Sequence, residues 1–517
     1  MVTVRTLSLR IGAILNSRRF FQVTLAFFIF EACWIVLSAV YPMAFDEDFH
    51  FGLIKVYSHY WLPFLSSQPT NAAAYGAIAR DPSYLYHYLM SFPYRVITLF
   101  VHGQTGQVIA LRLINVGLFS GGLVLFRRML LRTKLSQALT NVTLLLFALI
   151  PIVPQLAAHI NYDNLLFPLV AWVCLLAFQL IDEIRAKRPT ARTTLTLLAV
   201  CLFASLVKYP FLPIFLGVVL YLAVLSYKTF HGHGRSMAGA WWRSLRQLSR
   251  PVAVLLVGLC LLGGGMLLQR DGYNLVRYHE IVPDCGQVIG VKACSAYSAW
   301  DFSYVSHQRV LASKNGLGIP LTYFNVIAYV GVWIYWMWYR LFFAVNGPAS
   351  GFVNYPPLPL PSVAAILIAT AGLISAIIWR RRIFHNNPYL RLLLVVCLIY
   401  VAALLADGWS AYHYTNVLQT MNGRYLLPIL LLAAAIIGRA FSLGLRQAQS
   451  RKVILAVAAL LLFLQGGGFL TFITRSDPSW NWPNSAVVRV NNAARNIAKP
   501  VIIKGSKYYS TRVWAFN

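Results

Sequence analysis

The sequence predicts an all-α, polytopic membrane protein with about eleven transmembrane helices, and three observations predict it. Hydrophobic residues make up 59% of the 517 residues and charged residues only 11%, against about 25% charged in an ordinary soluble domain. Apolar runs of roughly 20 residues recur along the chain, the length that crosses a hydrocarbon core of about 30 Å, where the backbone must satisfy itself as helix or closed barrel. Lys and Arg gather in the short loops between these runs, as the positive-inside rule expects of cytoplasmic loops. That clustering accounts for the formal net charge of +30, so the charge is read as topology and no nucleic-acid partner is expected.

The N-terminus carries Arg5, Arg10, Arg18 and Arg19 before a first run at about 20–40. The run is long and lacks a clear A-x-A site, so it reads as a retained span rather than a signal peptide. Further runs fall at about 107–126, 138–157, 164–181, 193–207, 210–227, 252–269, 361–379, 390–406, 425–441 and 453–473. With the N-terminus inside, the basic clusters around Arg127 to Lys134, Arg185 to Arg192, Lys228 to Arg250, Arg380 to Arg391 and Arg439 to Lys452 all fall on one side. Two aromatic, interrupted stretches, 84–101 and 321–345, would break this parity if counted as spans. They read as helices lying on the outer membrane face, where Trp and Tyr concentrate. The chain thus divides into a core over 1–473, with a first outer loop at 41–106 and another at 270–360, and an extracytoplasmic segment at 474–517. Seven basic residues and one acid, Asp477, occupy that last segment, which suits it either to meet an anionic acceptor or to cap a site.

Five of the seven cysteines lie inside apolar runs and read as small core residues. Cys285 and Cys294 stand in a polar outer loop and are expected to pair if that loop meets an oxidising compartment. Of the 14 acids, Asp182 and Glu183 fall inside and Glu31 within the first span. The other eleven fall outside or at outer span ends. Acids contribute little to orientation, so this placement points to chemistry on the outer face. The chain has no Walker loop, dinucleotide fingerprint, zinc pair or G-x-S-x-G motif, and Gly263 to Gly265 read as close helix packing.

The first outer loop opens with Asp46, Glu47 and Asp48, then His50. Three consecutive carboxylates repel, so at least one is expected to be hard to ionise unless a cation sits nearby. The arrangement suits a general base or a divalent cation such as Mg or Mn, and equally a solvated turn. Asp81 precedes the first interfacial helix, as a helix cap or a substrate ligand. Asp163, between Asn161 and Asn164, either caps the next helix or supplies a second acid to the first loop. Lys208 lies between two spans, where a cation is costly and marks function unless it snorkels to the interface. Arg424, followed by Tyr425, opens a late span and is a candidate phosphate ligand or an interfacial anchor. Arg112 and Arg340 are weaker phosphate candidates.

These segments resemble the GT-C superfamily of membrane glycosyltransferases. FDEDFHF is similar to the Asp-Glu…His-Phe start of the first loop in its DUF2142-like branch, and NGRYLLP to that branch's Gly-Arg-Tyr-x-x-Pro signature. INYDN is similar to the second-loop acidic site of oligosaccharyltransferases in the same superfamily. The chain departs from the pattern at Asp48 and at Asp81-Pro82-Ser83, where relatives often carry Pro or Pro-Pro. The resemblance implies a GT-C-like fold in a bacterial inner membrane, with the N-terminus cytoplasmic and the active site extracytoplasmic. It implies transfer of one sugar from a polyprenyl-phosphate donor to a hydroxyl of a glycan, lipid or protein acceptor, with inversion. Asp46 is then the expected base and Glu47 the second choice. His50 would orient base or acceptor, Arg424 and Lys208 would hold the lipid phosphate, and Asp48, Asp81, Asp163 and Tyr425 would line the substrate. The alternatives are a transporter or flippase of a lipid-linked anion, and a glycan polymerase or ligase using lipid diphosphates.

Overall fold

The computed structural model describes residues 2–65, 67–231, 234–342, 359–444, 453, 456–459, 467–476 and 478–501. Among them the chain is helical, with one isolated bridge between Ala39 and Asn481. Helix α1 (Val2–Leu15) leads into α2 (Arg18–Ser38), and then α3 (Glu47–Tyr57) and α4 (Leu85–Phe100) fill the first loop. Next come α5 (Gln104–Arg132), α6 (Gln137–Ala148), α7 (Ile152–Ala157), α8 (Asp163–Arg185), α9 (Ala191–Val207), α10 (Leu212–Phe230), α11 (Gly234–Gln247) and α12 (Arg250–Leu267). The second large loop holds α13 (Tyr273–Tyr278), α14 (Cys285–Ile289), α15 (Val291–Cys294), α16 (Ser298–Lys314) and α17 (Val326–Phe342). The remainder is α18 (Pro359–Ile378), α19 (Arg380–Phe384), α20 (Pro388–Thr415), α21 (Leu427–Gly444), α22 (Phe469–Arg475) and α23 (Ser485–Val501).

Among the described residues, seven helical segments are long and apolar enough to cross a membrane: Arg18–Ser38, Gln104–Arg132, Asp163–Arg185, Tyr209–Phe230, Arg250–Tyr278, Pro388–Thr415 and Gly423–Leu443. With large apolar side chains such as Val254, Leu261, Leu220 and Leu398 turned outward, the chain is a multi-pass membrane protein. One expected span is broken, one is short, and two lie partly outside the described residues. The run at 138–157 is split into α6 and α7 around Pro151, which lacks the N–H that would continue the ladder. The run at 193–207 is α9, 17 residues long, at the short end of the range that crosses a bilayer. The run at 361–379 forms α18, but the side chains of 359–366 lie outside the described residues, as does most of 453–473.

Contacts divide the molecule into two ends. At one, Asn141 donates to the carbonyls of Leu15 and Ser17, Arg132 pairs with Asp182, Asn387 donates to Thr133 and Ser244 accepts from the Ala191 N–H. These loops carry the basic clusters. Ser17, Ser136, Thr190 and Asn387 start helices there by capping free N–H groups with short polar side chains. At the other end Asp46 meets Arg424, Lys208 meets Asp163, and Arg270 meets the carbonyls of Ile78 and Pro63. The acids of the outer loops therefore do collect at one end.

Helix α4 turns Tyr86, His87, Met90 and Ser91 inward and Leu89, Phe92, Val96, Leu99 and Phe100 outward. An apolar outward face on a helix beside the bundle is what an interfacial helix needs. Helix α17 packs Tyr329, Trp333, Met337 and Leu341 inward; residues 343–345 of that expected helix lie outside the described residues. Helices α5 and α8 approach at Gly122, where a Cβ would stand 2.4 Å from the Phe167 ring, and Phe119 stacks on Phe167 at 4.1 Å. Small residues permit such approach between helices in lipid. Cys285 and Cys294 are joined by a disulfide. The C-terminal segment docks on the acid-rich end of α2: Asn491 donates to Ser38, Trp34 donates to Asn491, and Val40 donates to Trp480. Asp477, Lys504, Lys507 and Arg512 of that segment lie outside the described residues.

Candidate active site at the acid-rich end

The three consecutive acids do not act as one cluster. Phe45 and Asp46 both take left-handed backbone, each with φ of 59°, a conformation costing non-glycine residues roughly 1–2 kcal/mol. Helix α3 starts immediately afterwards, so adjacent carboxylates leave the turn in opposite directions. Glu47 is fully buried and Asp46 keeps 64% of its side chain exposed. Asp48 is exposed, with no ion pair among the described residues.

Glu47 is removed from the expected catalytic set. Its oxygens receive Arg112 Nε at 2.7 Å and Nη2 at 2.6 Å, plus the Ile160 N–H at 3.1 Å and the Met43 N–H at 3.4 Å. Burial works to raise this carboxyl, but the Arg112 guanidinium overrides it and holds it below the ordinary value. A carboxylate with every lone pair engaged and no exposure cannot take a proton from a substrate. Arg112 is likewise not a phosphate ligand: its remaining N–H groups go to the carbonyls of Ala39 and Val40. The pair locks the first loop onto α2 and α5. The exception to the expected repulsion among the three acids applies at Glu47, because a cation 65 residues away meets it.

His50 is also sealed, at 1% exposure. The Asn161 amide is oriented by its neighbours, since its oxygen accepts the Asp163 N–H and its NH2 donates to Phe45. That NH2 also faces His50 Nε2 at 3.0 Å, so Nε2 must accept. His50 Nδ1 then carries the proton and donates to His87 Nε2 at 2.8 Å. Both rings are neutral in this chain. Burial, then His87, Arg424 and Lys208, hold His50 well below its ordinary value, and burial takes His87 down to about 3 despite the Ser83 carbonyl. Ser83 Oγ accepts the Tyr209 N–H, one residue from Lys208, which returns to Asp163. The polar ring ties the first, second and third acid-end loops together.

Within that ring the expected residues converge. Lys208 Nζ donates to Asp163 Oδ1 at 2.7 Å, with both side chains at most 5% exposed. Tyr162 and Tyr425 face the ammonium at 4.4 and 5.1 Å, so Lys208 does not snorkel. Asp163 does not cap α8 with its side chain; Asn161 Oδ1 takes that place. Arg424 is 6% exposed and donates one Nη2 hydrogen bond to Asp46 Oδ2 at 2.7 Å. Its Nε and Nη1 are buried without a partner, as is Asp163 Oδ2. Gly423 permits this placement, because a Cβ there would stand 2.1 Å from the Leu341 nitrogen of α17. Arg340, the other phosphate candidate, donates to the Met421 carbonyl and stands over Trp336.

Asp81 is not the cap of α4, which starts at Tyr84 without a side-chain cap. It accepts the Ser83 N–H at 2.9 Å in a local turn, and burial raises its carboxyl against the pull of Ser83 and Arg270. It belongs to a neighbouring group with Arg270, outside the Lys208–Arg424 centre. Among the described residues no group of three or more His, Cys, Asp or Glu side chains is arranged to hold a metal ion. Of the acids expected to offer oxygens to a divalent cation, Asp46, Glu47 and Asp163 each face a basic side chain instead, which leaves Asp48 alone, so the donor set does not fit one.

Sequence reasoning missed the roles of Arg112, His87, Asn161 and Tyr162. A usable signal existed for Arg112: an arginine inside an apolar run needs a partner, and Glu47 needed a cation. No family model matches the chain, and no curated protein matches it either.

Proposed function

We propose that the chain is a GT-C-type membrane glycosyltransferase that moves one sugar from a polyprenyl-phosphate donor to an acceptor hydroxyl. The observation that carries this reading is Arg424: a buried guanidinium with Nε and Nη1 unpaired, beside Lys208, and with the exposed carboxylate of Asp46 on its third nitrogen. Unmet buried donors are costly, and a phosphate oxygen is the acceptor that two convergent cations favour. In the transfer, the acceptor oxygen forms a bond to the anomeric carbon as the bond from that carbon to the phosphate oxygen breaks. The electron pair leaves with the lipid phosphate, where Arg424 and Lys208 offset the growing charge. The acceptor proton passes to Asp46, whose Oδ1 is not bound by Arg424. Asp46 acts late, when the attacking oxygen has become strongly acidic. A single displacement inverts the anomeric centre. Asp48 and Tyr425 line the acceptor and donor sides.

The finer architecture belongs to the same proposal: about eleven crossings, a cytoplasmic N-terminus, and this site on the extracytoplasmic face of a bacterial inner membrane. The decisive experiment supplies radiolabelled polyprenyl-phosphate sugars to purified, reconstituted protein beside Asp46→Asn. Label reaching an acceptor with the wild type alone supports the reading. Donor lipid bound or moved between leaflets, with no transfer or hydrolysis, would replace it with the transporter.

A further inference from the structure

A cavity of about 780 Å3 opens between α9 and α10 at the basic end, roofed by α11. Its walls include Cys201, Phe215, Val218 and Leu222, and α11 contributes Trp241 and Trp242. Leu198 and Val219 line it and are also 37% and 47% exposed on the outer surface, so it opens sideways toward the bilayer. Along α10 it runs from Phe215 to Ser226, about 16 Å at helical rise, which is roughly one leaflet of a 30 Å core. Its size falls within the roughly 300–1,000 Å3 of small-molecule sites. The lining is apolar apart from Thr194 and Ser226; the exposed cations Arg192 and Lys228 are two residues from these in sequence, and Arg243 follows Trp242. Helix α11 is pinned there by the Ser244 hydroxyl, which accepts the Ala191 N–H at 3.1 Å.

We propose that this cavity is a binding site for an anionic phospholipid of the leaflet at the basic end, with one acyl chain between α9 and α10 and its phosphate among Arg192, Lys228 and Arg243. Cations close to a membrane surface favour anionic head groups, and the walls offer a chain nothing but apolar contact. The site is separate from the Lys208–Arg424 centre and independent of any transfer reaction.

The test uses the full chain in phosphatidylcholine nanodiscs doped with phosphatidylglycerol whose acyl chains are brominated, reading tryptophan quenching. The expected result is a saturable quenched component at low doping. It should be absent from Trp241→Phe/Trp242→Phe, and its half-saturation should rise on the order of tenfold or more in Arg192→Gln/Lys228→Gln/Arg243→Gln. Ala223→Phe, which narrows the cavity without adding a tryptophan, should also weaken it while the thermal transition is retained. Equal, non-saturating quenching by brominated phosphatidylcholine would mean ordinary surrounding lipid and overturn the proposal. So would a saturable component unchanged in Ala223→Phe.

Discussion

Asp46 and Glu47 are neighbours in sequence, each bound to an arginine, yet their ion pairs have opposite characters. Glu47 and Arg112 are fully buried, bound to each other through two hydrogen bonds and to surrounding backbone groups through the rest. Asp46 is mostly exposed, and Arg424 is buried but engaged through one nitrogen only. The first pair is architecture and the second is open to a ligand. What separates them is the pair of left-handed residues at 45 and 46, which lets one turn present one acid to the bundle and one to the cleft. Charge and spacing alone do not tell a structural acid from a reactive one; the state of the partner cation does.

The comparison can be broken most severely at Asp46. Asp46→Asn should lower transfer about 10²–10⁴-fold, the range of a lost general base, while the melting temperature stays close to wild type because the pair is partly exposed. Full activity in purified Asp46→Asn would sink the assignment. Glu47→Gln should do the reverse, costing about 3–5 kcal/mol of stability by leaving Arg112 buried and uncompensated, which a thermal melt in detergent would read. A Glu47→Gln protein that melts normally and has lost only activity would restore Glu47 as a reacting group. Arg424→Lys keeps the charge but not the fork, and should weaken binding of a polyprenyl phosphate by about tenfold to a hundredfold, the worth of a charged hydrogen bond at roughly 1.5–3 kcal/mol.

The smallest effect concerns the neutral histidine chain. Below about 6.5, the ordinary histidine value, the unfolded chain takes up a proton that folded His87 refuses until about 3. Stability from this group is therefore fully present above the upper value and falls as pH drops through that window. Melting temperature measured from pH 7 to 4 should fall less steeply in His87→Phe than in the wild type. Parallel slopes would show that the chain is not held neutral by the fold.

The basic end was legible because a bilayer gathers Lys and Arg into the loops of one side; the acids, which contribute little to orientation, could be placed only once the spans were set. Lys208 and Arg424 were legible for the same reason, since a cation between apolar runs is costly wherever it sits. The pairing was not. Nothing in FDEDFHF states which acid turns inward, because that depends on two backbone angles, and Arg112 meets Glu47 only once α5 packs beside α3. The place of Asp163 at a helix start suits a cap as well as a second acid, and only the fold shows that Asn161, two residues earlier, takes the Asp163 N–H. The break at Pro151 was written in the sequence and hidden by the length of the apolar run around it.

Gly423 carries a consequence for reading mutational data. Its missing side chain leaves room for the α17 backbone, so even alanine there must push apart the segment that aims Arg424. A scan of this loop would score Gly423 as severely as a reacting residue, although the guanidinium remained chemically intact. The two kinds of loss separate on supplying a soluble guanidinium compound: it can stand in for a side chain that has been deleted, as in Arg424→Ala, and it cannot re-aim one that is still present and misdirected.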